Sequence, residues 1–155
     1  MPRKSGGFSM KRILAAIDGS EASLKAVDLA AESAALWGAE LLIVTVAPDP
    51  GQLEAAVRSW AHAEHAEHEF PDLPLGAANR SLGPALSRAA AKGVTAKAEL
   101  ASGDPTRGIL ESAQQHEVDA IYIGSRGRGQ LAGLMLGSVS QKVASHAPCT
   151  VVIVR

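Results

Sequence analysis

Aromatic residues make up only 3% of the 155-residue chain, so Ala, Val, Leu and Ile must build its core. Aliphatic side chains of that kind suit helices packed on a sheet. Cysteine is nearly absent: Cys149 stands alone, which excludes an internal disulfide and fits a reducing compartment. Beside Pro148 it reads as a small buried residue. No apolar run approaches the roughly 20 residues that span a bilayer. The polar start, Met1 to Met10, lacks the apolar stretch of a secretory signal. It reads as a flexible leader, with Met10 as an alternative start and one domain over 11–155. A cytoplasmic address is the expectation. Net charge is almost missing too, at −1, so no global field argues for nucleic acid or an anionic membrane. Acidic residues are missing altogether after Asp119, whereas Arg126, Arg128, Lys142 and Arg155 lie there. That last quarter is basic and would tolerate a bound anion.

What is present is an alternation of short apolar runs and helical periodicities. KRILAAID, residues 11–18, is a buried strand that ends in Asp-Gly-Ser. Leu24, Val27, Ala31 and Ala34 then recur at helical spacing, with Ser20 as a cap, Glu21 in the first turn and Gly38 at the end. AELLIVTVA, 39–47, is apolar through its centre, as a strand covered on both faces should be. A helical stretch follows over 52–69, an irregular break at Pro71, Pro74 and Gly76, and a second helix over 84–92 that stops at Gly93. Residues 94–100 alternate as a third strand. Asp104-Pro105 opens a helix that runs to about 117, since a capping carboxylate followed by Pro is a strong start. AIYIG, 120–124, is the fourth strand; a glycine-rich loop leads to a helix over 138–146, and CTVVIV, 149–154, is the fifth strand. Strands alternating with helices predict an α/β fold: a parallel sheet with helices on both faces and right-handed crossovers. Ligands in such sheets bind beyond the C-terminal strand ends, where the strand order reverses. The loops after strands one and four are the places to examine.

After the fourth strand come Gly124-Ser125-Arg126-Gly127, nine residues, then Gly137-Ser138. Glycines let backbone approach a phosphate closely, and successive amides can form an anion nest. Gly137-Ser138 opens a helix whose free N–H groups and dipole favour phosphate, helped by the hydroxyls of Ser138 and Ser140. On residue chemistry alone each has a plainer reading. The glycines can make a long loop, Asp18 a turn or cap, Val46 plain core, and Arg126 and Arg128 solvated charge.

The spacing G-x-x-G-(nine residues)-G-[S/T] resembles the ATP-binding signature of the nucleotide-binding branch of the universal stress proteins. It is met by Gly124, Gly127, Gly137 and Ser138. ILAAIDGSEAS, LLIVTVA, SGDP and SHAPCTVVIVR are similar to further segments of that family, so the resemblance covers about 11–50 and 94–155. It implies a five-stranded parallel sheet in the order 3-2-1-4-5, of the Rossmann-like, adenine nucleotide alpha hydrolase-like kind. It implies that Ala16, Ile17 and Asp18 line a nucleotide pocket and that Val46 touches the adenine. Ile123, Gly124, Arg126 and Gly127 are then expected beside the ribose and phosphates, and Gly137, Ser138, Val139 and Ser140 along the phosphate chain. It further implies Mg²⁺ with the ATP, and a homodimer through the last strand. Val151, Val152, Ile153 and Val154 there form an apolar edge that pairing would cover. Arg126 departs from relatives that carry a histidine at this place, which alters the local charge.

Other motifs are weaker. Gly127-x-Gly129-x-x-Ala132 fits a dinucleotide fingerprint, but no acidic residue follows for a ribose and the position is the last βα unit instead of the first. No P-loop sequence occurs. Ser5-Gly6-Gly7 precedes the first strand and reads as leader. His62, His65 and His68 alternate with Glu64, Glu67 and Glu69, the pattern of a solvated helix face rather than a metal site. His116 and His146 stand near helix C-termini, where the dipole accounts for them. Two classes of function remain: a nucleotide-binding regulatory module, for ATP or cyclic AMP, and a slow or partner-dependent ATP hydrolase. Hydrolysis needs a base and a positioned water, and Asp18 is the one loop carboxylate at hand. A structural dimer without nucleotide is the third option, against which the complete glycine motif argues.

Overall fold

The computed structural model describes residues 7, 9–49, 51, 74–127 and 136–155. In chain order these form β1 (Arg12–Ile17), α1 (Glu21–Trp37), β2 (Glu40–Ala47), α2 (Pro74–Ala91), β3 (Lys97–Ser102), α3 (Pro105–Gln115), β4 (Ala120–Gly124), α4 (Ser138–His146) and β5 (Thr150–Val154). The strands make a five-stranded sheet in the order β3-β2-β1-β4-β5, and every neighbouring pair is parallel. The expected helix over 52–69, the three histidines on it, most of the leader, Arg128, Gly129 and Ala132 lie outside the described residues.

Strand alternation splits the core into two layers. Ile13, Ala15, Ile17, Leu41, Ile43 and Tyr122 face α1 and α2. Leu14, Ala16, Leu42, Val44, Ile121 and Ile123 face α3 and α4. Both faces of β1, β2 and β4 are therefore buried, which is why their sequences are apolar without a polar alternate. α1 presents small residues, Ala26, Ala30, Ala31 and Ala34, so it lies close on the sheet. Ser20 caps it by accepting from the Ser23 N–H at 3.2 Å, and Gly38 ends it in the left-handed conformation, φ 64°.

Two boundaries differ from expectation. α2 begins at Pro74, not at Pro84, so the segment read as an irregular break is partly helical. Proline suits a helix start, and the interior Pro84 is tolerated because Ala78, Ser81, Ala85 and Ala89 keep one buried stripe. β3 begins at Lys97, later than the expected 94. The Gly93 and Val94 N–H groups bond back to Ala90 and Ala89 to close α2, so they are not available to a strand.

Polar contacts tie the ends together. Arg88 reaches Asp28 at 2.8 Å and Lys92 reaches Glu32 at 2.5 Å, joining α2 to α1. Glu99 of β3 accepts from Ser112 Oγ and meets His116 Nε2 at 2.6 Å, so His116 has an ionic neighbour as well as a helix end. His146 Nδ1 lies 2.8 Å from the Lys142 carbonyl, to which it must donate. Burial pushes the half-buried Cys149 thiol up, with the Asp119 charge acting in the same direction.

At the entry to β4, Asp119 Oδ2 accepts from the Lys11 and Arg12 N–H groups at 2.7 and 2.9 Å. Those two bonds hold its carboxyl below the ordinary 3.8. At the exit of β4, a Cβ on Gly124 would lie 2.9 Å from the Ala22 carbonyl carbon and the Ser23 nitrogen. The first turn of α1 thus rests on bare backbone.

Asp119→Ala is expected to lower stability at neutral pH by about 1 kcal/mol, the charge-assisted bonds being discounted for solvent screening. Because the folded pKa is depressed, this contribution is present above the unfolded value and is lost as pH falls through the folded one. Urea melts of both proteins should therefore converge in acid. Gly124→Ala is expected to cost about 1–3 kcal/mol by overpacking, measured the same way.

Candidate functional site

β1 lies between β2 and β4, so the strand order reverses at its C-terminal end, where two crossovers leave on opposite faces. A cleft of about 300 Å³ opens there. Ala16, Ile17 and Asp18 line it from β1, Val46 from β2, Ile123, Gly124, Arg126 and Gly127 from β4 and its loop, and Gly137, Ser138, Val139 and Ser140 from the start of α4. Every site residue expected from the sequence thus borders one space. Ser23, Pro105 and Ile109 border it too and were not expected. The topology held a signal for the last two. A helix crossing from the edge strand β3 to β4 starts on the same rim as the cleft, and Asp104-Pro105 marks that start.

Asp18 organises the β1 side. Its Oδ1 accepts from the Ser20 N–H at 2.9 Å, an Asx turn that leads into α1. Its other oxygen faces the glycine loop, where a Cβ on Gly127 would lie 2.6 Å from Oδ2. A side chain at 127 must therefore displace the carboxylate. Ser20 Oγ also lies 3.5 Å from the Arg126 carbonyl, so the loops after β1 and β4 touch at two points.

The start of α4 is pinned to the same loop. The Gly137 N–H donates to the Ser125 carbonyl at 2.7 Å. The Ser140 hydroxyl lies 3.0 Å from the Gly137 carbonyl and 3.1 Å from that of Ser125, and the residue is buried. Its single hydrogen is directed to these protein carbonyls, so the Ser140 hydroxyl fixes the turn and is not free to donate to a phosphate, contrary to the expectation from the sequence. A Cβ on Gly137 would sit 3.3 Å from the Ser125 oxygen, closer than most side chains come.

Helix capping separates this start from two others. Ser20 caps α1, and Asp104 caps α3 by accepting from the Arg107 N–H at 2.9 Å. Gly137 has no side chain to cap α4. The first N–H groups of α4, carried by Ser138, Val139 and Ser140, belong to residues that line the cleft. They carry the positive end of the helix dipole with no side-chain acceptor from the cap residue. The opposite wall is apolar: Val46, Pro105 and Ile109. An apolar wall facing an uncapped helix start can take a flat ring at one end and an anion at the other. Among the described residues no group of three or more His, Cys, Asp or Glu is placed to hold a metal ion. No helix among them is long and apolar enough to cross a membrane.

Known proteins resemble this chain along nearly its full length. Universal stress protein YxiE of Bacillus subtilis (strain 168) is 37% identical over 145 residues, covering 93% of this chain and 98% of the relative. The structure of universal stress protein UspA from Lactobacillus plantarum matches with a TM-score of 0.74 at 26% identity, covering 96% of this chain and all of that one. A universal stress protein solved in complex with cAMP matches with a TM-score of 0.71 at 27% identity, covering 96% and 99%. The model of the universal stress protein family matches residues 10–155. By that match and these relatives, the chain belongs to the universal stress protein family.

Proposed function

We propose that the cleft binds an adenine nucleotide, ATP in the first place, and that its occupancy regulates a homodimeric stress-response protein of the cytoplasm. The observation that carries this reading is the uncapped start of α4, which meets the Gly124–Gly127 loop at the switch point of the sheet. In this reading Val46, Pro105 and Ile109 receive the base, while Ala16, Ile17 and Ile123 floor the cleft. Gly124, Arg126 and Gly127 run beside ribose and phosphates, and the N–H groups of Ser138, Val139 and Ser140 take the phosphate charge. Asp18 is the one carboxylate among the described lining residues. Mg²⁺ commonly binds through one or two carboxylates together with substrate phosphates, so these residues fit an ion that arrives with the nucleotide. The ion would screen the phosphate charge; Asp18 would hold it while still ordering the turn into α1. Asp18 has no second acidic or basic group beside it among the described lining residues other than Arg126, which favours binding over turnover. Cyclic AMP is the second ligand to test, since a neighbour at 27% identity was solved with it.

Dimerisation is proposed through β5. It is an edge strand whose Val152 and Val154 close one core layer while Val151 and Ile153 close the other. Its outer hydrogen-bonding edge has no strand beside it among the described residues, a feature that proteins usually cover.

Mass spectrometry of the purified, denatured protein is expected to release an adenine nucleotide. Added ATP is expected to raise the melting temperature, by about 2.7 kcal/mol of stabilisation at a hundredfold excess over Kd, and to do so more than ADP or cyclic AMP. Gly127→Val and Gly137→Val should each abolish that shift; an unchanged shift in both would place the ligand elsewhere. Sedimentation is expected to give twice the 16.0 kDa chain mass.

A further inference from the structure

Gly108 is the fourth residue of α3 and is buried against β2. Glycine there is costly, because alanine is the better helix former at an interior position. Its N–H makes the ordinary helical bond to the Asp104 carbonyl at 2.9 Å, so no unusual turn requires it. What requires it is a neighbour. A Cβ on Gly108 would lie 3.0 Å from Cγ2 and 3.2 Å from Cγ1 of Val46, and 3.5 Å from the Ala101 Cβ. Val46 is stiff, since two methyl groups on Cβ leave it few rotamers. It is also enclosed. Ala101 stands beside it in the β2–β3 register, and the α3 backbone lies behind it. The remaining direction is the cleft, which Val46 lines together with Pro105 and Ile109 on either side of Gly108.

We propose that Gly108 is a positioning residue for the nucleotide site: by lacking a side chain it lets Val46 stand back from the apolar end of the cleft, where a flat base is received. This rests on the nucleotide-binding reading and adds to it the residue that sets the depth of the base end. One methyl group at 108 presses Val46 by a few tenths of an ångström toward the space the base needs. The glycine loop, on the other side of β1, is untouched. The α3 helix keeps its bonds and gains a better helix former, so loss of binding is not accompanied by loss of the fold.

Calorimetric titration of ATP into four proteins tests this: wild type, Gly108→Ala, Val46→Ala and the double variant. Gly108→Ala is expected to weaken ATP about tenfold beside the native valine, the scale of one methyl group in an apolar pocket. In the Val46→Ala background the same substitution should change affinity less than twofold, because the atoms it pushes are gone. That non-additivity is a readout that a merely structural role would not give. An equal loss in both backgrounds, or no loss in either, overturns the role of Gly108 and leaves nucleotide binding standing. Failure of the wild type to bind any adenine nucleotide overturns both.

Discussion

The backbone that leaves β4 is held in contact with the unyielding first turn of α1 and with the carboxylate of Asp18, and the cleft takes its shape from those contacts. Gly124 abuts the first turn of α1, and Gly127 abuts the Asp18 carboxylate. Gly137, at the far end of the loop, abuts Ser125 and Arg126. Each glycine of the motif thus has a close protein partner: backbone at Gly124, a carboxylate that a side chain would displace at Gly127, and a carbonyl that would have to give slightly at Gly137. Chemical intuition assigns such glycines to the approach of a phosphate. Here they first let α1, β1, β4 and α4 converge on one point, and any ligand inherits the result.

Convergence follows from topology. The strand order turns back at β1, so α1, which leaves β1, and α4, which leaves β4, pack on opposite faces and a gap opens between their starts. Asp18 and Ser20 close part of that gap with side-chain bonds at the head of α1. Ser140 closes another part at the head of α4. At the other end of the sheet Asp119 binds the entries of β1 and β4 together. The middle strands are therefore tied at both ends by polar groups, while their faces are held mainly by aliphatic packing, with one hydrogen bond from Tyr122 to Ser33 of α1 at 2.8 Å.

Much of this was legible in the sequence, and the reasons are local. β4 and α4 have the bounds expected because an apolar run stops at a glycine and a helix stops before Ala147-Pro148. The glycine loop could be named from its spacing, whereas Ala16, Ile17, Asp18 and Val46 were named only through the family resemblance, because residue chemistry alone leaves them as strand core or a turn. α2 was less legible because its prolines read as breaks, whereas its burial stripe of alanines and a serine is weak in any hydropathy pattern. β3 was placed early because the N–H groups that close α2 cannot be counted from residue types. Gly108 was invisible for a stronger reason. A glycine inside a helix looks like a local defect until the side chain it accommodates, Val46, is brought against it by the fold.

The state of the single thiol bears on how such a protein can sense its surroundings. Cys149 is half-buried, and both burial and the Asp119 charge keep it protonated. Thiolate is the form that oxidants and electrophiles attack, so this cysteine reacts sluggishly near neutrality. Cys149 is thus poorly suited to act as an oxidant sensor.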